Sequence, residues 1–232
     1  MKLSDRLQTI ANFVPKNTIV GDIGTDHGYI PIYLIEKGIS KKAIAADLSK
    51  NSLEKIIQFR KLKGLEKYID IRLGDGLDVI KPFEIDTLII AGMGGLLIRD
   101  ILDKDKEKRD SITHFILQPN IASKELREYL FAQDFQIIDE KLVKEDNKFY
   151  EIIYAKKGKA YIDRYIYFEI GEKLIFNKDP LLGEFINNKI HIAENILMEL
   201  KDKNTDRSAD RYKELTENIR ELKGVLAEIE SN

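Results

Sequence analysis

The chain has 232 residues, with 38 Lys plus Arg against 40 Asp plus Glu, a formal net charge of −2. Hydrophobic residues are 43% and charged residues 34%, enough apolar material for a sizeable core in one or two domains and too much for general disorder. Cysteine is absent and the three histidines (His27, His114, His191) stand far apart, which excludes disulfides, thiolate metal sites, a cysteine nucleophile and a His-pair metal motif. No apolar run approaches the roughly 20 residues of a membrane span, and the N-terminus carries Asp5 and Arg6 within a helix-like pattern where a signal peptide would be apolar. A soluble, cytoplasmic protein is expected, without metal or membrane.

In chain order, apolar runs predict strands over 19–22, 43–47, 69–73, 87–91, 115–118, 135–142 and 149–155. Helical patterns over 30–37, 52–63, 96–102 and 123–132 alternate with the first five. Such alternation predicts a parallel sheet covered on both faces. The last two runs are joined by a short polar turn at 144–148 and read as an antiparallel hairpin on one edge, giving seven strands. Residues 156–159 read as a linker, dividing the chain into domains 1–158 and 159–232. In the second, Ile186, Ile190, Ala193, Leu197 and Leu200 form one stripe. Tyr212, Leu215, Ile219, Leu222, Leu226 and Ile229 form another. Steps of three and four place each stripe on one helix face. With a polar turn over 201–210, they predict an antiparallel helical hairpin, a coiled-coil dimer being the alternative.

The most informative segment is Asp22-Ile-Gly24-Thr25-Asp26-His27-Gly28-Tyr29-Ile-Pro31, a strand end, a glycine-containing loop and a helix start. In a doubly wound sheet this is the ligand crevice. A dinucleotide would place its pyrophosphate on a helix N-terminus free of anions. Asp22 and Asp26 oppose that and suit a ligand with positive charge, such as S-adenosylmethionine, which carries an ammonium and a sulfonium. As a plain structural residue, Asp26 would be a turn or cap. Asp47, about 20 residues on and followed by Leu48, can bind both ribose hydroxyls. Asp75-Gly76 ends the third strand, where Asp75 could meet an adenine amino group, although an Asp-Gly by itself is only a turn. Ala91-Gly92-Met93-Gly94-Gly95 gives open backbone after the fourth strand. Gln118-Pro119-Asn120 ends the fifth, with amides able to read a base edge, the plain alternative being a Pro-Asn turn.

Together with the helical C-terminal region, Asp22-Ile-Gly-Thr-Asp-His-Gly-Tyr-Ile-Pro31, Gly74-Asp-Gly, Ala91-Gly-Met-Gly-Gly95 and Leu117-Gln-Pro-Asn120 resemble the bacterial tRNA (adenine(22)-N(1))-methyltransferase family over nearly the whole chain. The resemblance implies a class I, Rossmann-like methyltransferase domain and a coiled-coil-like C-terminal domain. It also implies S-adenosylmethionine as donor and an adenine in the tRNA D-arm as acceptor. Asp26 departs from the general Gly-x-Gly-x-Gly pattern, standing where the middle glycine would be.

The expected roles follow. Asp22, Asp26, His27, Tyr29 and Asn120 are candidates at the reacting centre, Tyr29 by stacking, and no single general base is demanded. Asp22, Gly24, Thr25, His27, Gly28, Asp47, Leu48, Asp75, Gly76 and the 91–95 segment are candidates for the cofactor. The structural alternatives are a cap or core histidine for His27, a residue packed on the sheet for Tyr29 and core for Met93. Gln118, Pro119 and Asn120 are candidates for the base, either amide gripping the adenine amino group. From 36 to 72 the chain has ten basic and five acidic residues, a balance of +5, against 12 and 15 (−3) from 159 onward. Lys55, Arg60, Lys61 and Lys63 are therefore candidates for RNA phosphate, with Lys2, Arg6 and Lys16 as candidates to extend the patch; the plain alternative is a solvated helix face. The acidic helical region is expected to orient tRNA or join subunits in a monomer or weak homodimer. A methyltransferase for another substrate and a non-catalytic RNA-binding adaptor remain as alternatives, and the loop carboxylates disfavour a nicotinamide enzyme.

Overall fold

A computed structural model describes residues 1–201 and 205–231. It divides into two compact units, Met1–Tyr161 and a unit starting at Ile162. The first unit opens with α1 (Asp5–Phe13), its N-terminus capped by the Ser4 hydroxyl, which accepts from the Leu7 N–H. There follow β1 (Ile19–Ile23), α2 (Tyr29–Glu36), β2 (Lys42–Asp47), α3 (Lys50–Leu62), β3 (Ile69–Leu73), a 3₁₀ turn (Gly76–Val79) and β4 (Thr87–Met93). Then come α4 (Gly95–Lys104), α5 (Lys106–Asp110), β5 (His114–Pro119), α6 (Ser123–Ala132), β6 (Phe135–Glu145) and β7 (Lys148–Lys157). The strand order is β3-β2-β1-β4-β5-β7-β6. The first five strands are parallel, and β7 runs antiparallel to both β5 and β6.

The side-chain period of two explains the layering. Leu88, Ile90, Phe115 and Leu117 bury toward α4 and α6 with Ile98, Leu102, Leu126 and Leu130. Ile89 and Ile116, one step out of phase, bury on the other face with Ile10, Val20 and Leu34. A second cluster on β2 and β3 joins Ala43, Ala45 and Ile69 to Ile32, Leu53 and Ile56. Burial on both faces is why the parallel strands read as continuous apolar runs.

The β6–β7 turn is two residues long. Asp146 and Asn147 have φ of 48° and 61°, and Glu145 pairs with Lys148. Two successive left-handed residues match the strand twist, and Asx residues tolerate them best after glycine. Behind the hairpin, the buried Arg127 of α6 donates to Glu140 on β6 (2.7 Å) and Glu151 on β7 (2.6 Å). A guanidinium out of water needs such partners.

The second unit contains α7 (Ile166–Ile170), α8 (Glu172–Phe176), α9 (Leu182–Leu200) and α10 (Asp206–Glu230). Five-residue helices such as α7 and α8 carry too little periodicity to be read from sequence. The α9 stripe buries Phe185, Ile186, Ile190 and Ala193, and the α10 stripe buries Leu215, Ile219, Leu222 and Val225. Burial thins toward the tip: Leu197 and Leu200 are half-buried and Tyr212 is exposed. Thr205 and Ser208 cap α10 reciprocally. Of the turn expected over 201–210, residues 202–204 lie outside the described residues, and the portion from Asp206 is helix.

Candidate active site

A cavity of about 590 Å³ opens beyond the carboxyl ends of the parallel strands. Its first wall is the loop after β1. Gly24, His27 and Gly28 all have left-handed φ (75°, 60° and 66°). The N–H groups of Gly24 and Thr25 both donate to the Ala46 carbonyl (2.8 and 3.0 Å), tying the loop to β2. A Cβ on Gly24 would overlap the Met93 methyl, and one on Gly28 would press into Ile56 of α3. Left-handed backbone favours glycine at both places, and at Gly28 the packed Ile56 side chain adds a limit of space.

Asp22 lines the cavity yet is only 5% exposed. Burial pushes its carboxyl up to about 7; the neighbouring Thr25 hydroxyl opposes the shift and the Asp47 charge adds to it. Thr25 is itself buried, and its Oγ1 lacks a partner of full hydrogen-bond geometry. Asp47 lines the cavity, with Oδ1 accepting from the Ser49 N–H (2.7 Å). Asp75 also lines it and pairs with Lys104 (3.2 Å), which binds Asp78 at 2.7 Å as well. Leu48, Gly74 and Gly76 complete this side.

The opposite wall comes from β4 and β5. Ala91, Gly92 and Met93 line it at a break in the β4–β5 register, with Gly92 at φ 79°. Asn120 lines it too, its Nδ2 donating to the Gly92 carbonyl (2.7 Å) and its N–H to the Met93 carbonyl (2.7 Å). Arg6 from α1 and Tyr150 from β7 also reach the cavity, with the guanidinium 5.0 Å from the Tyr150 ring centroid. Neither was singled out from the sequence as a pocket residue. The only signal was Arg6 within a basic N-terminus, and nothing marked Tyr150 among the residues of a strand.

The structure thus brings Asp22, Gly24, Thr25, Asp26, Tyr29, Asp47, Leu48, Asp75, Gly76, Ala91, Gly92, Met93 and Asn120 to one cavity. Other candidates lie elsewhere. His27 is not on the cavity wall: Lys55 Nζ lies 2.9 Å from its Nε2, Asp26 Oδ1 lies 2.5 Å from its Nδ1, and its ring stacks on Tyr29 at 5.4 Å. Gly28 starts α2 behind the wall. Gly94 and Gly95 start α4, and a Cβ on Gly95 would strike the Ala122 carbonyl, so this glycine serves backbone packing. Gln118 is fully buried beneath Asn120, out of reach of a substrate, and Pro119 is buried beside it.

The expected phosphate patch is divided among other partners. Arg60 donates to the Ile69 carbonyl (2.6 Å), Lys63 pairs with Glu36 (2.9 Å), and Arg72 is held by Glu84 and Asp70. Lys61 is exposed on α3. None of Lys55, Arg60, Lys61 and Lys63 lines the cavity.

The donor set fits S-adenosylmethionine. A buried carboxyl whose ionisation is suppressed by burial gains most from a cationic ligand. The Gly24 cradle admits a close backbone approach.

A family model described as a methyltransferase domain matches residues 3–153. The tRNA (adenine(22)-N(1))-methyltransferase of Bacillus subtilis (strain 168) is 34% identical over 236 residues, covering 97% of this chain and 98% of that protein. The crystal structure of the B. subtilis M1A22 tRNA methyltransferase TrmK matches with a TM-score of 0.88 at 33% identity, covering 97% of this chain and 99% of that one. The structure of M. capricolum TrmK in complex with S-adenosyl-homocysteine matches with a TM-score of 0.86 at 29% identity, covering 99% and 100%. With the acidic and glycine-containing strand tips in place and likeness running the length of both chains, this protein belongs to the tRNA (adenine(22)-N(1))-methyltransferase family.

Proposed function

We propose that the chain transfers a methyl group from S-adenosylmethionine to N1 of an adenine at position 22, in the D-arm of tRNA. The observation that carries the reading is the convergence of Asp22, Asp47 and Asp75, from the ends of three adjacent parallel strands, on one cavity with a glycine-cradled opposite side. S-adenosylmethionine supplies an electrophilic methyl on a positively charged sulfur. Asp22 meets the positive charge of the donor, Asp47 takes ribose hydroxyls through its uncommitted Oδ2, and Asp75 faces the adenine end. Adenine N1 carries a free lone pair once unpaired, so the protein needs no strong base. Its task is to expel water, align the ring and tolerate a cationic product, and alignment alone is worth up to about 7–11 kcal/mol in ideal cases.

Extruding the target base costs a few kcal/mol. Tyr29, 40% exposed on the cavity wall, offers a ring on which that base can stack, returning about 1–3 kcal/mol. His27 acts through Tyr29: its ring stacks nearly parallel to the tyrosine (3°) and holds it from behind. Asp26 and Asn120 flank the acceptor.

No helix among the described residues is long and apolar enough to cross a membrane, and a tRNA substrate supports a reading of cytoplasmic action. The helical unit beyond Ile162 is read as an arm that orients folded tRNA or joins subunits of a weak homodimer.

The test is incubation of unmodified tRNA transcripts with radiolabelled S-adenosylmethionine and mapping of the modified nucleotide. Label at N1 of adenine 22 is the expected result. Label confined to protein or small molecules, or thermal stabilisation by the donor without any transfer, would overturn the reading.

A further inference from the structure

A closed chain of hydrogen bonds runs beneath the base-facing wall. The Gln118 side chain is fully buried. Its Oε1 accepts from Arg6 Nη1 (2.6 Å) and from the Gly92 N–H (3.1 Å). Its Nε2 donates to the Pro119 carbonyl (2.9 Å) and to Asn120 Oδ1 (3.1 Å). Asn120 Nδ2 then donates to the Gly92 carbonyl (2.7 Å).

The donors and acceptors in this chain permit one arrangement. Arg6 and the Gly92 N–H can only donate, so the oxygen of Gln118 must face them. A flipped Gln118 would bury an NH₂ against two donors, which costs more than a lost hydrogen bond. Its nitrogen therefore faces Asn120, which must answer with oxygen. The Gly92 carbonyl can only accept, so it takes a hydrogen from the other end of the Asn120 amide. Asn120 is left with its oxygen engaged and one N–H without a protein partner among the described residues. That free group is a donor, whereas the adenine amino group calls first for an acceptor.

We propose that Arg6 is a positioning residue which, through Gln118, fixes the Asn120 amide as a hydrogen-bond donor to an acceptor on the target base. The inference rests on the functional reading above. The nucleophilic N1 must keep its lone pair, so the acceptor is one of the other ring nitrogens, N3 or N7. Arg6 is suited to the task because its guanidinium offers only donors, in a rigid planar fork. Its own position is fixed: its backbone N–H donates to Glu145 (2.7 Å), and its guanidinium lies over Tyr150. A fixed amide selects the angle at which an extruded base enters, and misplacement by about 1 Å is worth on the order of 100-fold in rate.

The test is a double-mutant cycle in steady-state tRNA methylation, with melting temperature and donor affinity measured for every variant. Arg6→Ala and Asn120→Ala are each expected to lower kcat about 100-fold. If Arg6 acts through Asn120, the double variant falls no more than about threefold below the weaker single one. Losses that multiply, or an Arg6→Ala effect confined to KM for tRNA, would overturn the proposal and make Arg6 an independent phosphate contact. Gln118→Glu keeps shape and keeps a partner for Arg6, but it presents oxygen to Asn120 and forces that amide to turn. It is expected to lose kcat as Asn120→Ala does, and full activity in a folded Gln118→Glu protein would sink the proposal whether or not the Arg6 variant folds. A wild-type chain inert toward tRNA overturns the functional reading and this inference with it. An active wild type with multiplying losses overturns this inference alone.

Discussion

The two sides of the cavity are built from opposite materials. Among the described residues, the side formed by β1, β2 and β3 presents Asp22, Asp26, Asp47 and Asp75 and no basic side chain. The side formed by β4, β5, α1 and β7 presents, among the described residues, Arg6, Asn120, Tyr150 and open glycine backbone, and no carboxylate. The acidic side depends on single residues at strand tips, each anchored by its own loop. The other depends on a relay in which Arg6, Gln118, Gly92 and Asn120 hold one another. A cationic donor and a neutral base entering this space meet different chemistry, so charge orients the donor and shape orients the acceptor.

The sharpest way to break the contrast is Asp22→Asn, which keeps shape and removes the charge. Affinity for S-adenosylmethionine is expected to fall about 100-fold or more, read by titration calorimetry, with transfer abolished. Retained affinity would remove Asp22 from the acidic side. Arg127→Ala tests the foundation of the other side, because it strands Glu140 and Glu151 behind the hairpin that carries Tyr150. A loss of about 3–5 kcal/mol in urea unfolding is expected.

The pH dependence of the unliganded protein separates the two sides further. The Asp22 carboxyl is raised from the ordinary value of 3.8 to about 7, so the folded state holds this proton more tightly than the unfolded chain. Its contribution to stability is intact below about pH 4 and is lost as pH climbs to about 7, by a few kcal/mol. Wild type compared with Asp22→Asn across pH 4–8 should show this slope in melting temperature, and saturating donor should flatten it. The smallest effect is at Tyr29. Tyr29→Ala should weaken tRNA turnover by about 1–3 kcal/mol while Tyr29→Phe stays close to wild type, as stacking requires the ring and not the hydroxyl.

Much of the acidic side was legible in the sequence because Asp22, Asp47 and Asp75 lie at or just past the ends of successive apolar runs. The seven strands, the edge hairpin and the two long helices were legible for the same local reason. The relay was not. Arg6 meets Gln118 across 112 residues and Glu145 across 139, through a sheet order that sequence alternation does not encode. His27 illustrates a different limit: its loop position suggested the ligand, while its φ of 60° turns it to Lys55 and Tyr29. The basic run from 36 to 72 shows a third limit: counting charges does not reveal that Arg60, Lys63 and Arg72 also have partners within the fold.

The two sides meet where the Met93 methyl closes on the space left by Gly24. This hinge between opposites is a soft thioether in a chain that has no cysteine. Oxidation to the sulfoxide would set a polar, stereogenic oxygen in that seam. Of the chain's three methionines, Met93 is the one that lines the cavity, so a loss of donor binding under peroxide is expected to trace to that sulfur.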